Sequence, residues 1–546
     1  MSFRAASVLV ALTGFIALSL ELIWIRVYYF LSATRAYAFA GLLSSYLLGL
    51  ALGSLWSIRV QRKFENGTTT EKRGSVARLV LWANVAGFLV APLVSWIAAV
   101  RIHLPPESHP WYWSYPLVGI AAAWLGTLLP LICHYAVPPD AKVGSRLSKL
   151  YLANIVGSGV GSLLTGFVLM EYIPLRWIGF LLLALGVVIY VVLSGRTRRS
   201  LVCGGIALVA GAALTPALYW RFWERMQQDY HWVKSGDFVQ IVESRSGVIT
   251  IGQDRDADGK KGVLKIYGGG SYDGVMDTSP VRNRWLVRAY ALSAMHPNPE
   301  DVLIIGLSGG AWAQITAANP AVKRITCVEI SHSYTEVIAA HPAVASLLTN
   351  PKVEIVIDDG RRWLERHPER KFDAILMNTT QHYREYASNL LCREFQQLAR
   401  KHLKPGGVFQ YNATGSLRAH QTALETFESV ALLLNNVVTW NGPVHWDNAR
   451  WKPVLESYVI DGQPVFDLTR EEDKLTLARM LTLPFSTDRE PAELIVDGSF
   501  STLFQDMSEL NDFRLRSRKQ MEVRCRAAAA EAITDDNLGH EYRWWQ

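Results

Sequence analysis

What this chain lacks narrows its class before any motif is read. Its five cysteines, Cys133, Cys203, Cys327, Cys392 and Cys525, are scattered and form no Cys-x-x-Cys pair. That argues against a zinc ribbon, a dithiol redox centre or a disulfide framework, so the cysteines read as small apolar residues and no metal is expected. No basic cluster is interleaved with aromatics, so the net charge of +7 does not point to nucleic acid. No small-residue cleavage site follows the first apolar run, which therefore reads as a retained helix and not a removed signal peptide. Charge is itself missing from long stretches before Tyr219, whereas the later part alternates apolar runs with charge as a globular domain does.

A bilayer core needs roughly 20 apolar residues in helix. Seven runs qualify: residues 7–31, 38–58, 79–100, 115–137, 150–170, 177–193 and 201–219. The pattern predicts an α-helical membrane bundle of six or seven transmembrane helices over 1–220, with the lipid bilayer as partner and a bacterial inner membrane as location. A homo-oligomer is compatible with it. Small residues spaced four apart, Gly49/Gly53 and Gly157/Gly161, let helix backbones approach closely. Glu21 lies deep in the first run, five residues before Arg26, and a structural ion pair with Arg26 reaching the interface is expected.

Lys and Arg are dense after the second run (Arg59, Arg62, Lys63, Lys72, Arg73, Arg78), the fourth (Lys142, Arg146, Lys149) and the sixth (Arg196, Arg198, Arg199). The intervening loops hold Arg35, Arg101 and Arg176, so the basic loops and the N-terminus are expected inside the cell. The seventh run is rich in Gly and Ala and contains Thr215-Pro216. It either crosses, leaving the remaining chain outside, or re-enters, and the side of the C-terminal part stays open.

After residue 235 short β-type runs appear at 239–243, 248–251 and 263–267, with turns at 256–259 and 268–270. They predict a small antiparallel β domain over 235–298. Strand–helix alternation follows, with strands at 302–305, 324–328, 353–357, 374–377 and 408–411, the pattern of a Rossmann-type α/β domain over 299–460. A mostly helical extension over 461–546 is expected, with helices at 471–483 and 504–532 and a final Trp pair at 544–545.

Three positions along the alternation carry chemistry. The first strand runs into Gly306-Leu307-Ser308-Gly309-Gly310, a turn that lets a ligand approach backbone and helix N-terminus. Glu329 ends the next strand, where an acid can accept both ribose hydroxyls. Asp358 and Asp359 follow the third strand, within reach of an adenine amino group. In this order and spacing they predict a small-molecule nucleoside pocket.

The stretch from about 237 to 414 resembles the spermidine synthase family of aminopropyltransferases, and the whole chain is similar to the branch fused to a transporter-like membrane bundle. The matching residues are 14–26 with Glu-x-x-Trp-x-Arg, 47–54, 149–166, His296-Pro297-Asn298-Pro299, 302–306, Val328-Glu329-Ile330, Asp358-Asp359-Gly360-Arg361, 403–409 and Thr534-Asp535-Asp536-Asn537. The resemblance implies a methyltransferase-like Rossmann fold behind a small β domain, with decarboxylated S-adenosylmethionine or S-adenosylmethionine as co-substrate. It also exposes departures. Ser308-Gly309 stands where the family's glycine loop carries an Asp, and Asn378 takes the place of the Asp that helps deprotonate the attacking amine. Thr379, Thr380 and Gln381 follow where another acid is usual. A family Gln falls near Ser271 and Tyr272, and the Tyr-His pair is absent from 284–290.

A polyamine is multiply cationic and needs carboxylates to hold it and to release one neutral amine. Asn378, Thr380 and Gln381 supply neither, and Arg282, Arg284, Arg288 and Arg384 would repel such an acceptor if they faced it. The expectation is a membrane-bound transferase with a non-polyamine acceptor, Ser271, Tyr272, Thr380 and Gln381 lying on the acceptor side. The alternatives are a non-catalytic binding or assembly protein, and a transporter-like module with a regulatory domain.

Overall fold

The computed structural model describes residues 2–35, 37–100, 110–227, 237–255, 261–378, 384, 387–482 and 515–535. The chain divides into two compact units, Met1–Thr250 with Gly269–Ser271, and Ile251–Gly268 with Tyr272–Gln546.

The first unit holds seven helices long and apolar enough to cross a membrane: α1 Phe3–Leu31, α2 Tyr37–Lys63, α3 Thr69–Val100, α4 Tyr112–Ala136, α5 Val143–Tyr172, α6 Leu175–Leu193 and α7 Arg198–Leu218. Each overlaps one of the apolar runs. Small residues decide which helices meet. A Cβ on Gly157 of α5 would run into the carbonyl of Ala11, and one on Gly161 would lie 2.5 Å from that of Phe15. Helices α1 and α5 therefore pack backbone to backbone, and Ser19 donates to the Gly161 carbonyl at 3.3 Å. Gly49 and Gly53 of α2 face the carbonyls of Gly119 and Ala123 of α4 in the same way.

Glu21 and Arg26 do not pair. Arg26 donates instead to the carbonyls of Ser244 (2.5 Å) and Arg245 (2.9 Å), in the turn between strands β1 (Phe238–Ser244) and β2 (Gly247–Arg255). Helical geometry explains the difference: five residues are 1.4 turns, so the two side chains leave α1 in different directions. Around the same turn Glu171 accepts from the Arg245 N–H at 3.0 Å, and Glu243 accepts from Leu175 N–H and the Trp223 indole at 2.7 and 2.9 Å. Glu21 is buried, and among the described residues neither a hydrogen bond nor an ion pair reaches it.

Strands β1 and β2 continue into β3 (Lys261–Gly268) and β4 (Ser271–Val275), giving a small sheet in the order β1-β2-β3-β4. The turn at 256–259 lies outside the described residues.

The second unit is built on an eight-stranded sheet. Its strands are β5 Asp301–Ile305, β6 Arg324–Glu329, β7 Val353–Ile357, β8 Phe372–Met377, β9 Leu403–Asn412, β10 Ser429–Leu433, β11 Asn436–Trp440 and β14 Leu515–Ser517. A two-residue pair, β12 Val459–Ile460 and β13 Gln463–Pro464, stands apart. The order is β14-β10-β11-β9-β8-β5-β6-β7, parallel from β7 to β9 and antiparallel beyond. Because β5 pairs with both β6 and β8, the chain reverses its direction of travel there and opens a crevice at the strands' carboxyl ends. Helices α8 (Ala311–Ala318), α9 (Ser333–Ala340), α10 (Gly360–Arg366), α11 (Arg393–Lys401) and α12 (Leu417–Thr426) connect or flank the strands. Phe372, Phe395, Phe409 and Tyr411 form fully buried core beneath them.

One expectation is corrected here. The stretch 504–532 is not one helix: in its described part Leu515–Ser517 is a strand paired with β10, and a helix follows over Arg518–Ala527. The exposed edge of β10 captures three residues, and Ser517 then caps the helix by accepting from Gln520 N–H. The predicted 471–483 helix is present as Glu471–Leu481, while the Trp pair at 544–545 lies outside the described residues.

Candidate active site

The carboxyl ends of β5, β6, β7 and β8 bring Gly306, Glu329, Asp358 and Asn378 to one edge of the sheet. Strand β5 leaves through a turn in which Gly306 (φ +86°), Ser308 (φ +49°) and Gly310 (φ +80°) are left-handed. The loop residues do different things. A Cβ on Gly309 would meet Met276 at 2.9 Å and one on Gly310 would meet Ile338 and Leu347 at 3.1 Å, so both lie against protein. A Cβ on Gly306 would meet nothing within 4 Å, so that glycine borders open space. Ser308 donates its hydroxyl to the Asp273 carbonyl at 2.8 Å, tying the loop to β4.

Glu329 is buried and holds the loop from below. One carboxylate oxygen accepts from Leu307 N–H at 2.7 Å and the other from Ser331 N–H at 2.9 Å. Burial pushes its carboxyl up to about 7 despite those bonds. Asp359 caps α10 by accepting from Arg362 N–H at 2.8 Å. Asp358 pairs with Arg362 and lies 3.5 Å from Arg366, and the Arg362 guanidinium holds its carboxyl below the usual range. The three acids expected to meet a nucleoside thus stand at the expected strand ends, each with oxygens bonded inside the chain.

Asn378 follows β8, half-buried, and accepts from the Asn412 side-chain amide at 3.4 Å. Tyr272 is half-buried with its ring edge on Tyr267, centroids 6.1 Å apart. Ser271 falls in the first compact unit, its hydroxyl buried without a hydrogen-bond partner among the described residues. Thr380 and Gln381 lie outside the described residues, as do Asp536 and Asn537.

Sequence reading missed a buried polar cluster beside the loop. Asp273 of β4 accepts from Arg384 at 2.6 Å and from the Tyr334 hydroxyl, and Arg384 also donates to the Gly268 carbonyl at 3.2 Å. The only available signal was Tyr272-Asp273-Gly274, an acid inside an apolar strand. Three of the four arginines named as hostile to a polyamine, Arg282, Arg288 and Arg384, find different surroundings. Arg282 is neutralised by Asp277 at 2.6 Å and Arg384 by Asp273. Arg288 is buried and pushed down to about 10 by that burial, and among the described residues no carboxylate pairs with it.

Parts of the chain are similar to known proteins. Residues 290–437 match the spermine/spermidine synthase domain family. The polyamine aminopropyltransferase of Oceanobacillus iheyensis is 22% identical over 418 residues, covering 72% of this chain and 75% of its own. Polyamine aminopropyltransferase 2 of Hyperthermus butylicus is 28% identical over 216 residues, covering 38% of this chain and 69% of its own. Spermidine synthase from Thermotoga maritima, a solved structure, aligns with a TM-score of 0.31 at 20% identity, covering 38% of this chain and 72% of that one. A match over 72% of the chain is too long to fit within residues 251–546, so the similarity to the Oceanobacillus protein reaches into the helical half. Behind seven long apolar helices, the chain therefore carries a region similar to the spermine/spermidine synthase domain.

Proposed function

We propose that this protein is a membrane-bound transferase that takes S-adenosylmethionine or its decarboxylated form as donor and passes a group to an acceptor other than a polyamine. The observation that carries the reading is the pair at the end of β8 and β9. Beside a glycine loop secured by Glu329, the position that the family resemblance assigns to the catalytic acid is held by Asn378, which is bonded to Asn412, so two neutral amides stand there.

In such a transfer the acceptor's lone pair forms a bond to a carbon of the sulfonium. The C–S bond breaks, and sulfur keeps the pair and leaves as a neutral thioether. Any proton on the nucleophile must go elsewhere, and an amide cannot take it at neutral pH. Asn378 can orient an acceptor by hydrogen bonding but cannot deprotonate an ammonium. The chain therefore suits a nucleophile that arrives uncharged or anionic. Gly306 leaves room for the donor at the strand end, and Glu329 keeps the loop in shape.

A second reading, binding without catalysis, is favoured by the internal bonding of Glu329 and Asp359. One experiment separates the two. Purified protein is titrated with methylthioadenosine by thermal shift, then incubated with each donor and a membrane extract while released methylthioadenosine and S-adenosylhomocysteine are measured. Saturable binding with release, both lost in Glu329→Ala, supports the transferase. Binding without release from any extract supports the second reading, and absence of binding sinks both.

A further inference from the structure

Arg288 is the charge in the second unit that the transferase reading leaves unexplained. Its Nε donates to the Trp285 carbonyl at 2.8 Å, and its Nη1 donates to the side-chain oxygens of Asn435 (2.5 Å) and Asn436 (3.0 Å). Its guanidinium carbon lies 5.5 Å from the ring centroids of both Trp285 and Trp312. All of these partners are neutral. They orient the cation without neutralising it, and a buried charge is ordinarily paired. Two donors are also left over. The hydrogen bonds of Arg288 come from Nε and Nη1 and none from Nη2, and among the described residues the fully buried Asn436, with its oxygen on Arg288, leaves its amide nitrogen without an acceptor.

The location matters as much as the surplus. Asn436 of β11 is the register partner of Asn412 of β9, and Asn412 bonds Asn378. The Arg288 carbonyl accepts from Gln410, two residues before Asn412 and hence on the same face of the strand. Trp312 is the second residue of α8, directly after the glycine loop. The guanidinium therefore lies between Trp312, just after the glycine loop, and Asn436, beside Asn412, near the carboxyl ends of the parallel strands where ligands of such folds bind.

We propose that Arg288, with Trp312 and the Asn436 amide, is a carboxylate-binding subsite of the transfer pocket. It rests on the transferase reading for its ligands. An oxyanion against Nη2 supplies the missing counter-charge, and the flat guanidinium fork suits a carboxylate. That carboxylate has two possible owners. S-adenosylmethionine carries one that its decarboxylated form lacks, and an anionic acceptor carries its own.

The test is a thermal-shift titration of the full chain, wild type and Arg288→Gln, with methylthioadenosine, both donors, and succinate as a minimal carboxylate probe. If the donor owns the carboxylate, S-adenosylmethionine binds on the order of tenfold or more tightly than the decarboxylated form. Arg288→Gln then removes that preference while methylthioadenosine binds unchanged. If the acceptor owns it, the two donors bind alike, and succinate stabilises the methylthioadenosine-loaded wild type but not the variant. Should Arg288→Gln fail to fold, Asn436→Asp places a carboxylate beside the guanidinium and is expected to suppress either preference. Equal binding of both donors with no Arg288-dependent effect of succinate overturns the subsite. Failure of methylthioadenosine to bind, with succinate still protecting through Arg288, would instead sink the transferase reading and leave the subsite standing.

Discussion

Glu329 keeps two backbone N–H groups of its surroundings satisfied while buried, and that burial pushes its carboxyl up from an ordinary 4.5 to about 7. The folded state therefore holds a proton more tightly than the unfolded chain does. Its contribution is fully present below pH 4.5 and is lost as pH rises to about 7, a change of ~3 kcal/mol. Glu329→Gln, which cannot ionise, is expected to flatten the fall in unfolding temperature of the second unit between pH 5 and 8. An identical slope in the two proteins would show that another group titrates there. Asn378→Asp restores the acid that amine deprotonation requires. It is expected to raise methylthioadenosine release from decarboxylated S-adenosylmethionine with spermidine or putrescine by at least about tenfold; no gain would mean that position 378 does not govern acceptor choice. The sequence shows where Glu329, Asp359 and Asn378 stand, because strand ends and glycine turns are local patterns. It hides what they bond to. Asp273 meets Tyr334 and Arg384 across 61 and 111 residues, and no periodicity reports such a meeting.

Helices and strands were legible to different degrees for the same reason. An apolar run of 20 residues has one outcome in a bilayer, so all seven long helices fall on their runs. Strands β5 and β8 stand out because parallel strands buried on both faces read as largely apolar runs, whereas β7, at the sheet edge, is partly exposed and carries Glu354. The β10–β11 hairpin was missed, although Asn435-Asn436 offered a turn signal and Leu434 takes the left-handed conformation the turn needs. Its apolar run, residues 430–433, has no polar alternation to distinguish strand from helix. Packing between helices gives a sharp test at this scale. Gly157 and Gly159 are neighbours on α5, but a side chain at 157 would strike the Ala11 backbone while one at 159 would meet nothing within 4 Å. Gly157→Val is expected to cost on the order of 2 kcal/mol or more and to lose the folded protein during detergent purification. Gly159→Val is expected to stay within ~0.5 kcal/mol of wild type. Equal behaviour of the two variants in a detergent thermal melt would show that α1 and α5 do not meet at these glycines.

The helical unit carries an argument about sidedness that reaches the function. Helix α7 runs unbroken from Arg198 to Leu218, with Pro216 only in its last turn, and 21 residues span about 31 Å, enough to cross. Its far end lies with those of α1, α3 and α5. Trp223, just beyond α7, bonds Glu243, and Phe222 accepts from Ser95 near the end of α3. Glu243 also accepts from the first N–H of α6, beside the turn held by Arg26 of α1 and Glu171 of α5. The dense basic segments around Arg59–Arg78, Lys142–Lys149 and Arg196–Arg199 belong to the opposite end. Positive residues favour the cytoplasmic side, so a reporter at Asp140 is expected to act as cytoplasmic and one joined after Gln546 as external. An external result would put the nucleoside edge where sulfonium donors are scarce, weighting the balance toward binding without catalysis. A cytoplasmic reporter after Gln546 would mean that α7 fails to cross despite its length, or that the whole bundle is inverted. The Asp140 reporter separates these: cytoplasmic as well, it leaves α7 re-entrant and the donor within reach of the site, and external, it inverts the bundle.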